Sequence, residues 1–188
     1  MSNEEYFSEN ELFKKGITFG SNVFVHRSVI FFGNNVELGH DVRIDCFSLI
    51  TSDEKVKIGN NVHLAPGVYI FGTAGVEIGS YCGISSRCVI YSTSDDYSGG
   101  YMTNPTLPNE FRNVKAAAVR LNKHVIIGSG SVIMPGVTIN AGASIGALSY
   151  VNKNIPEYMI VSGNPLRKIG YRNKSKLKSL EESYEKQR

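Results

Sequence analysis

The residues best equipped for chemistry lie in one aperiodic stretch, YSTSDDYSGGYMTNPTLPNEFRN, from Tyr91 to Asn113. It holds adjacent carboxylates, Asp95 and Asp96. Four aromatics, Tyr91, Tyr97, Tyr101 and Phe111, could form a lid or an acceptor wall. Pro105 and Pro108 limit its conformations and point to an ordered arm. No histidine lies between His63 and His124, so the carboxylates become the candidates for a base in this stretch. A carboxylate titrating near about 4 is a weak base and is poorly matched to a hydroxyl. An amine differs, because its neutral form is already nucleophilic. A carboxylate can orient that amine and take its proton. The alternative use of either aspartate is to cap a turn.

The other reactive side chains offer less. His26, His40 and His63 are scattered along the chain. Zinc needs three or four good ligands, so no metal is expected. Three cysteines, an odd number with no CxxC, read as reduced thiols in a cytoplasmic protein. Cys82 and Cys88 read as small core residues. His124, just before a regular segment, is a secondary candidate for a base, with a plain surface role as the alternative.

The chain has 188 residues, a net charge of +3, 41% hydrophobic and 20% charged residues, which suits one soluble domain. No apolar run approaches the roughly 20 residues of a membrane span, and the polar, acidic start is not a secretory signal. Glu4, Glu5, Glu9 and Glu11 make the start acidic, while Arg167, Lys168, Arg172, Lys174, Lys176 and Lys178 make the tail basic. The tail could be a solvated helix, a nucleic-acid contact or a phosphate site.

What positions the loop is a six-residue repeat. From Ile58 the chain reads IGNNVH, LAPGVY, IFGTAG; from Ile78, IGSYCG, ISSRCV; from Ile127, IGSGSV, IMPGVT, INAGAS, IGALSY. Upstream, Phe19 opens FGSNVF and Leu38 opens LGHDVR. The first residue is aliphatic, the second often glycine, and the fifth compact. This period fits neither a helix nor an alternating hairpin. It fits a three-sided coil of short strands and corners, with the first and fifth residues packed inside. About six coils are expected, starting near Phe19, Leu38, Ile58, Ile78, Ile127 and Ile145. The expected organisation is a helical cap over 1–18, a β-helix over 19–160 with an excursion loop at 92–124, and a turn and helix over 161–188.

The hexads, with IGSGSVIMPGVTI at 127–139 and VSGNPLRKI at 161–169, resemble the hexapeptide-repeat acyltransferases, in their galactoside and xenobiotic acetyltransferase branch. SDDYSG and the NP-x-x-P segment resemble enzymes that acylate sugars for bacterial surface polysaccharides. The resemblance implies an all-β fold: a left-handed parallel β-helix with short terminal helices and one long loop. It implies a homotrimer with active sites between subunits, and acetyl-CoA as co-substrate. It places Asp95 where the family usually carries a histidine base. Ser85, which follows the inward Ile84 in the same coil, could donate to the acceptor or oxyanion, or equally serve as a structural corner. Ser129 matches the position whose backbone N–H meets the thioester carbonyl. Gly146 and Ala147 match small positions along the pantetheine arm, and Lys153, Arg167 and Lys168 match positions near the CoA phosphates. Small corners and solvated cations are the structural alternatives for these.

The leading expectation is therefore acetyl transfer to the amine of a nucleotide-linked amino sugar. O-acetylation of a galactoside or glycan hydroxyl is the rival. A non-catalytic β-helix scaffold with an interaction arm is the third reading.

Overall fold

The six-residue period is realised as a three-sided prism of stacked parallel strands. It is seen in a computed structural model that describes residues 3–187. The first face carries Thr18–Phe19, Val36–Leu38, Val56–Ile58, Val76–Ile78, Val119–Leu121 and Thr138–Ile139. The second carries Phe24–Val25, Arg43–Ile44, His63–Leu64, Gly83–Ile84, Ile126–Ile127, Ser144–Ile145 and Met159–Ser162. The third carries Ile30–Phe32, Leu49–Thr51, Tyr69–Phe71, Val89–Tyr91, Val132–Ile133 and Tyr150–Val151. Each strand pairs in register with its equivalent one coil away, so that Ile58 faces Ile78, Ile84 faces Ile127 and Ile90 faces Ile133.

Register builds the core. The first residue of each hexad points inward and forms one aliphatic ladder per face. Leu38, Ile58, Ile78, Leu121 and Ile139 make the first, and Ile84, Ile127 and Ile145 stand in the second. All are almost fully buried, and each such side chain contributes on the order of 1.5–3 kcal/mol. The fifth residues, Val62, Val68, Cys82, Cys88 and Val125 among them, fill the remaining space. Burial pushes the Cys82 thiol up to about 12 and that of Cys88 also upward. Both are free thiols acting as small apolar groups.

Corners are set by backbone geometry. At the corner between the first and second faces, Asn22, Asp41, Asn61, Tyr81, His124, Gly142 and Tyr158 all have positive φ. Non-glycine residues adopt this region at a cost, so coil stacking overrides local preference there. At the next corner, a Cβ on Gly128 would collide with the backbone of Ala147. Close coil-to-coil contact explains the small second position.

The prism has six full coils and part of a seventh. The fifth coil begins one hexad earlier than the sequence suggests: Leu121 and Ile139, not Ile127 and Ile145, continue the column of Ile78. The excursion therefore ends where Val119 pairs with Val76, short of residue 124. The hexad LNKHVI keeps its aliphatic first and valine fifth residues. It has Asn122 in place of glycine, which masks the repeat.

Both ends are covered. Helix α1, Glu9–Lys14, starts at a capping box between Ser8 and Glu11 and buries Leu12. Arg27 bonds Glu11 at 2.8 Å and, with Ser8, holds that carboxyl down at about 2. At the other end the expected turn is framed by strands. Met159–Ser162 extends the second face, and Arg167–Tyr171 returns antiparallel to it. Helix α2, Lys174–Glu185, follows behind an Asn173 cap. It folds back onto the positive-φ corner. His124 Nε2 meets Glu181 at 2.9 Å, Asn61 donates to the Tyr184 hydroxyl at 3.0 Å, and Tyr81 bonds Glu185. No helix among the described residues is long and apolar enough to cross a membrane.

Candidate active site

The excursion leaves the third face after Tyr91 and rejoins the prism on the first face. It is an ordered arm. Thr93–Ser94 pairs antiparallel with Lys115–Ala116 and closes its neck. Further out, Met102 N–H donates to the Phe111 carbonyl at 2.9 Å, and Met102 bridges Arg112. Between arm and third face lies a cleft of about 1340 Å³. Its floor is prism: Phe71, Tyr91, Val132, Met134 and Tyr150. Its wall is arm: Asp95, Asp96, Tyr97, Arg112 and Lys115. Phe71 and Tyr91 stack at 4.9 Å with nearly parallel rings, giving the floor a flat aromatic platform.

The two aspartates have separate jobs. Asp96 accepts from the Ser98 N–H and hydroxyl, both at 2.9 Å, and builds a turn. Those bonds hold its carboxyl below the usual aspartate range, with Lys115 adding to them. Asp95 lines the cleft with its side chain 35% exposed and pairs with Arg112, Oδ1 to Nη2 at 3.8 Å. That is an ion pair without a hydrogen bond. The cleft can thus offer a carboxylate to an incoming cation or proton, and no histidine lines it.

The other candidates sit elsewhere on the chain. Ser85 is a half-buried corner residue between the second and third faces, with its N–H on the Ile127 carbonyl at 2.9 Å. It does not line the cleft beneath its own chain's arm. The same corner carries Ser129, Gly146 and Ala147 one and two coils on. Ser162 and Arg167 cap that column as a strand pair, with Lys168 beside them and its ammonium over Tyr171. Ser85, Ser129, Gly146, Ala147, Arg167 and Lys168 therefore form one continuous edge. Lys153 lies apart, past the end of Tyr150–Val151, near the cleft residue Asn152. His124 is also apart: its ring stacks on Tyr81 at 4.8 Å and its Nε2 is engaged by Glu181.

Arg112 is the site residue that the sequence does not flag. It lies seventeen positions beyond Asp95 in an aperiodic arm, and no spacing rule joins the two. Among the described residues no group of three or more His, Cys, Asp or Glu side chains could hold a metal ion.

The prism with its single arm matches the structures of acyltransferases built on a left-handed β-helix. The chain belongs to the hexapeptide-repeat acyltransferase family. It is 39% identical over 179 residues, 94% of its length and 93% of the relative's, to a dTDP-4-amino-4,6-dideoxy-D-glucose acyltransferase of Escherichia coli. It superposes with a TM-score of 0.94 and 36% identity on AntD, an N-acyltransferase from Bacillus cereus, over 98% of both chains. That structure holds dTDP-4-amino-4,6-dideoxyglucose and coenzyme A and carries a serine substitution; another carries an aspartate substitution. A galactoside acetyltransferase in complex with coenzyme A matches less closely, with 29% identity and a TM-score of 0.57 over 89% of this chain and 70% of that one. No family-wide sequence model matches the chain. The protein is an acyl-CoA-dependent enzyme and not a bare scaffold.

Proposed function

We propose that this enzyme transfers an acetyl group from acetyl-CoA to the amine of a nucleotide-linked amino sugar. The acceptor is of the dTDP-4-amino-4,6-dideoxyglucose class, and the product serves bacterial glycan synthesis. The observation that carries this reading is the histidine-free cleft in which Asp95 is the open carboxylate. Likeness to two acylating enzymes whose acceptor is a dTDP-amino sugar, over nearly the whole chain, supports the nucleotide-linked acceptor.

In this reading the free amine attacks the thioester carbonyl. A C–N bond forms, the C–S bond breaks, and CoA leaves as thiolate. Nitrogen sheds its proton to Asp95, which passes it to the thiolate or to water. Because the nitrogen carries positive charge once attack begins, a carboxylate is base enough. Ser85 donates to the acceptor or to the oxyanion. Ser129 N–H meets the thioester carbonyl. Gly146 and Ala147 give the pantetheine arm a flat edge, and Arg167 and Lys168 hold phosphates through charge-assisted bonds, with Lys153, at another corner, as a further candidate cation. The two substituted positions in the AntD structures, one serine and one aspartate, lie ten positions apart. Ser85 and Asp95 have the same separation, which supports pairing them.

Within one chain Ser85 and Asp95 stand on different sides of the third face. A homotrimer reconciles them by setting the edge of one prism against the arm of the next. The surface supports this. Ile30, Phe32, Tyr69, Phe47 and Leu148 are exposed on the third face and its corner with the second, where apolar area invites a partner. The first face instead carries ion pairs, Glu37 with Lys55 and Glu77 with Arg120, and suits solvent. A cytoplasmic location would supply both substrates.

Free-thiol release from acetyl-CoA across nucleotide amino sugars and simple galactosides tests the reading. Release with a dTDP-4-amino sugar, giving an amide product, is expected. Release only with galactosides would replace it by O-acetylation.

A further inference from the structure

One buried side-chain nitrogen among the described residues has no hydrogen-bond partner: Nε of Arg112. Leaving a buried charged donor unsatisfied is costly. A donor so placed on the cleft wall is available to a carboxylate that moves toward it.

The geometry names the partner. Nε and Nη2 lie on one edge of the planar guanidinium, the edge that grips a carboxylate with two parallel bonds. Nη2 is the atom that faces Asp95 Oδ1, at 3.8 Å. Nη2 belongs to that edge, so a carboxylate gripping it takes up both the orphan donor and the overlong contact. Shortening that contact by about 1 Å, to charge-assisted bonding distance, would satisfy both. The guanidinium is the more enclosed partner, 16% exposed against 35% for Asp95. Its backbone is fixed by the Asn109–Phe111 turn, whose Asn109 carbonyl accepts the Arg112 N–H at 3.1 Å, and by the bridge to Met102. Arg112 is therefore the fixed jaw and Asp95 the part that moves.

We infer that Arg112 is the positioning residue for Asp95: its Nε–Nη2 edge closes on the carboxylate when the acceptor occupies the cleft, aiming Asp95 at the acceptor's nitrogen. This rests on the reading of Asp95 as proton acceptor given above. Arginine is required because lysine offers a point charge without a fork. The adjacent Asp96 cannot take this place, being committed to Ser98.

The test is a double-mutant cycle on the full-length enzyme, with acetyl-CoA and a dTDP-4-amino sugar. The variants are Arg112→Gln, Asp95→Asn, the pair together, and Arg112→Lys. Arg112→Gln should lower kcat by about 10²-fold, as a roughly 1 Å misplacement does, with donor KM unchanged and melting temperature not lowered. In the Asp95→Asn background the same change should cost less than about twofold, because residues acting through each other are not additive. Arg112→Lys keeps the charge without the fork and should stay nearly as slow as Arg112→Gln. Equal losses in both backgrounds, or wild-type kcat in Arg112→Gln, would overturn the inference while leaving the role of Asp95 intact. Wild-type kcat in Asp95→Asn would remove that role and the inference with it.

Discussion

Asp95 and Asp96 are neighbours in sequence, yet one is open to the cleft and the other is spent on a turn. Asp96 bonds twice to Ser98, so Asp96→Ala should loosen the arm and leave the prism alone. Hydrogen exchange should rise from about residue 95 to residue 101 and stay unchanged in the strand Ile126–Ile127; a uniform rise would contradict this. The sequence makes Asp95 legible because the aperiodic stretch breaks a strong repeat and contains no histidine. It leaves Arg112 hidden, because a single arginine in an arm carries no periodic signal. It also cannot show that Ser85 lies beyond the same chain's cleft, since that depends on which face the arm covers.

The hexad is the element that the sequence states most clearly. Inward positions such as Ile84, Ile133, Ile139 and Ile145 follow from the repeat and are buried. Ile139→Asp would bury an unpaired charge, at a cost of about 3–5 kcal/mol. A denaturant midpoint equal to wild type would contradict the register. The return of the arm at Val119 is harder to see, because Asn122 and His124 stand where small and turn-forming residues are usual. Docking of α2 is harder still: it depends on contacts across the first corner that no local pattern announces. Burial pushes the Glu181 carboxyl up, but Lys123 and His124 more than offset this and hold it below the ordinary 4.5. A carboxyl lowered in the folded state stabilises fully above 4.5, and that contribution is lost as pH falls through the lower folded value. Protection of the α2 amides should drop as pH falls below about 4.5. Glu181→Gln should flatten the dependence; an unchanged profile in that variant would rule out the latch.

For the whole molecule, two faces and one edge take three roles. One is charged, one carries the cleft, and an edge of small residues leads from Ser85 to Arg167 and Lys168. If that edge carries the donor, Arg167→Ala with Lys168→Ala should raise donor KM and leave kcat nearly intact. Each exposed contact is worth about 1 kcal/mol or less. Equal affinity for CoA and dephospho-CoA in wild type and variant alike would remove the cations from the donor site. The trimer should appear in sedimentation as a single species of three times the 20.6 kDa chain mass. The central claim, however, is that Asp95 takes the proton from an amine. The direct measurement is steady-state kinetics of Asp95→Asn beside His124→Asn, with acetyl-CoA and a dTDP-4-amino sugar. Asp95→Asn should lose about 10²- to 10⁴-fold in kcat with donor KM unchanged, while His124→Asn keeps its rate. Full activity in Asp95→Asn together with a collapse in His124→Asn would contradict the account and return the enzyme to a histidine base acting on a hydroxyl.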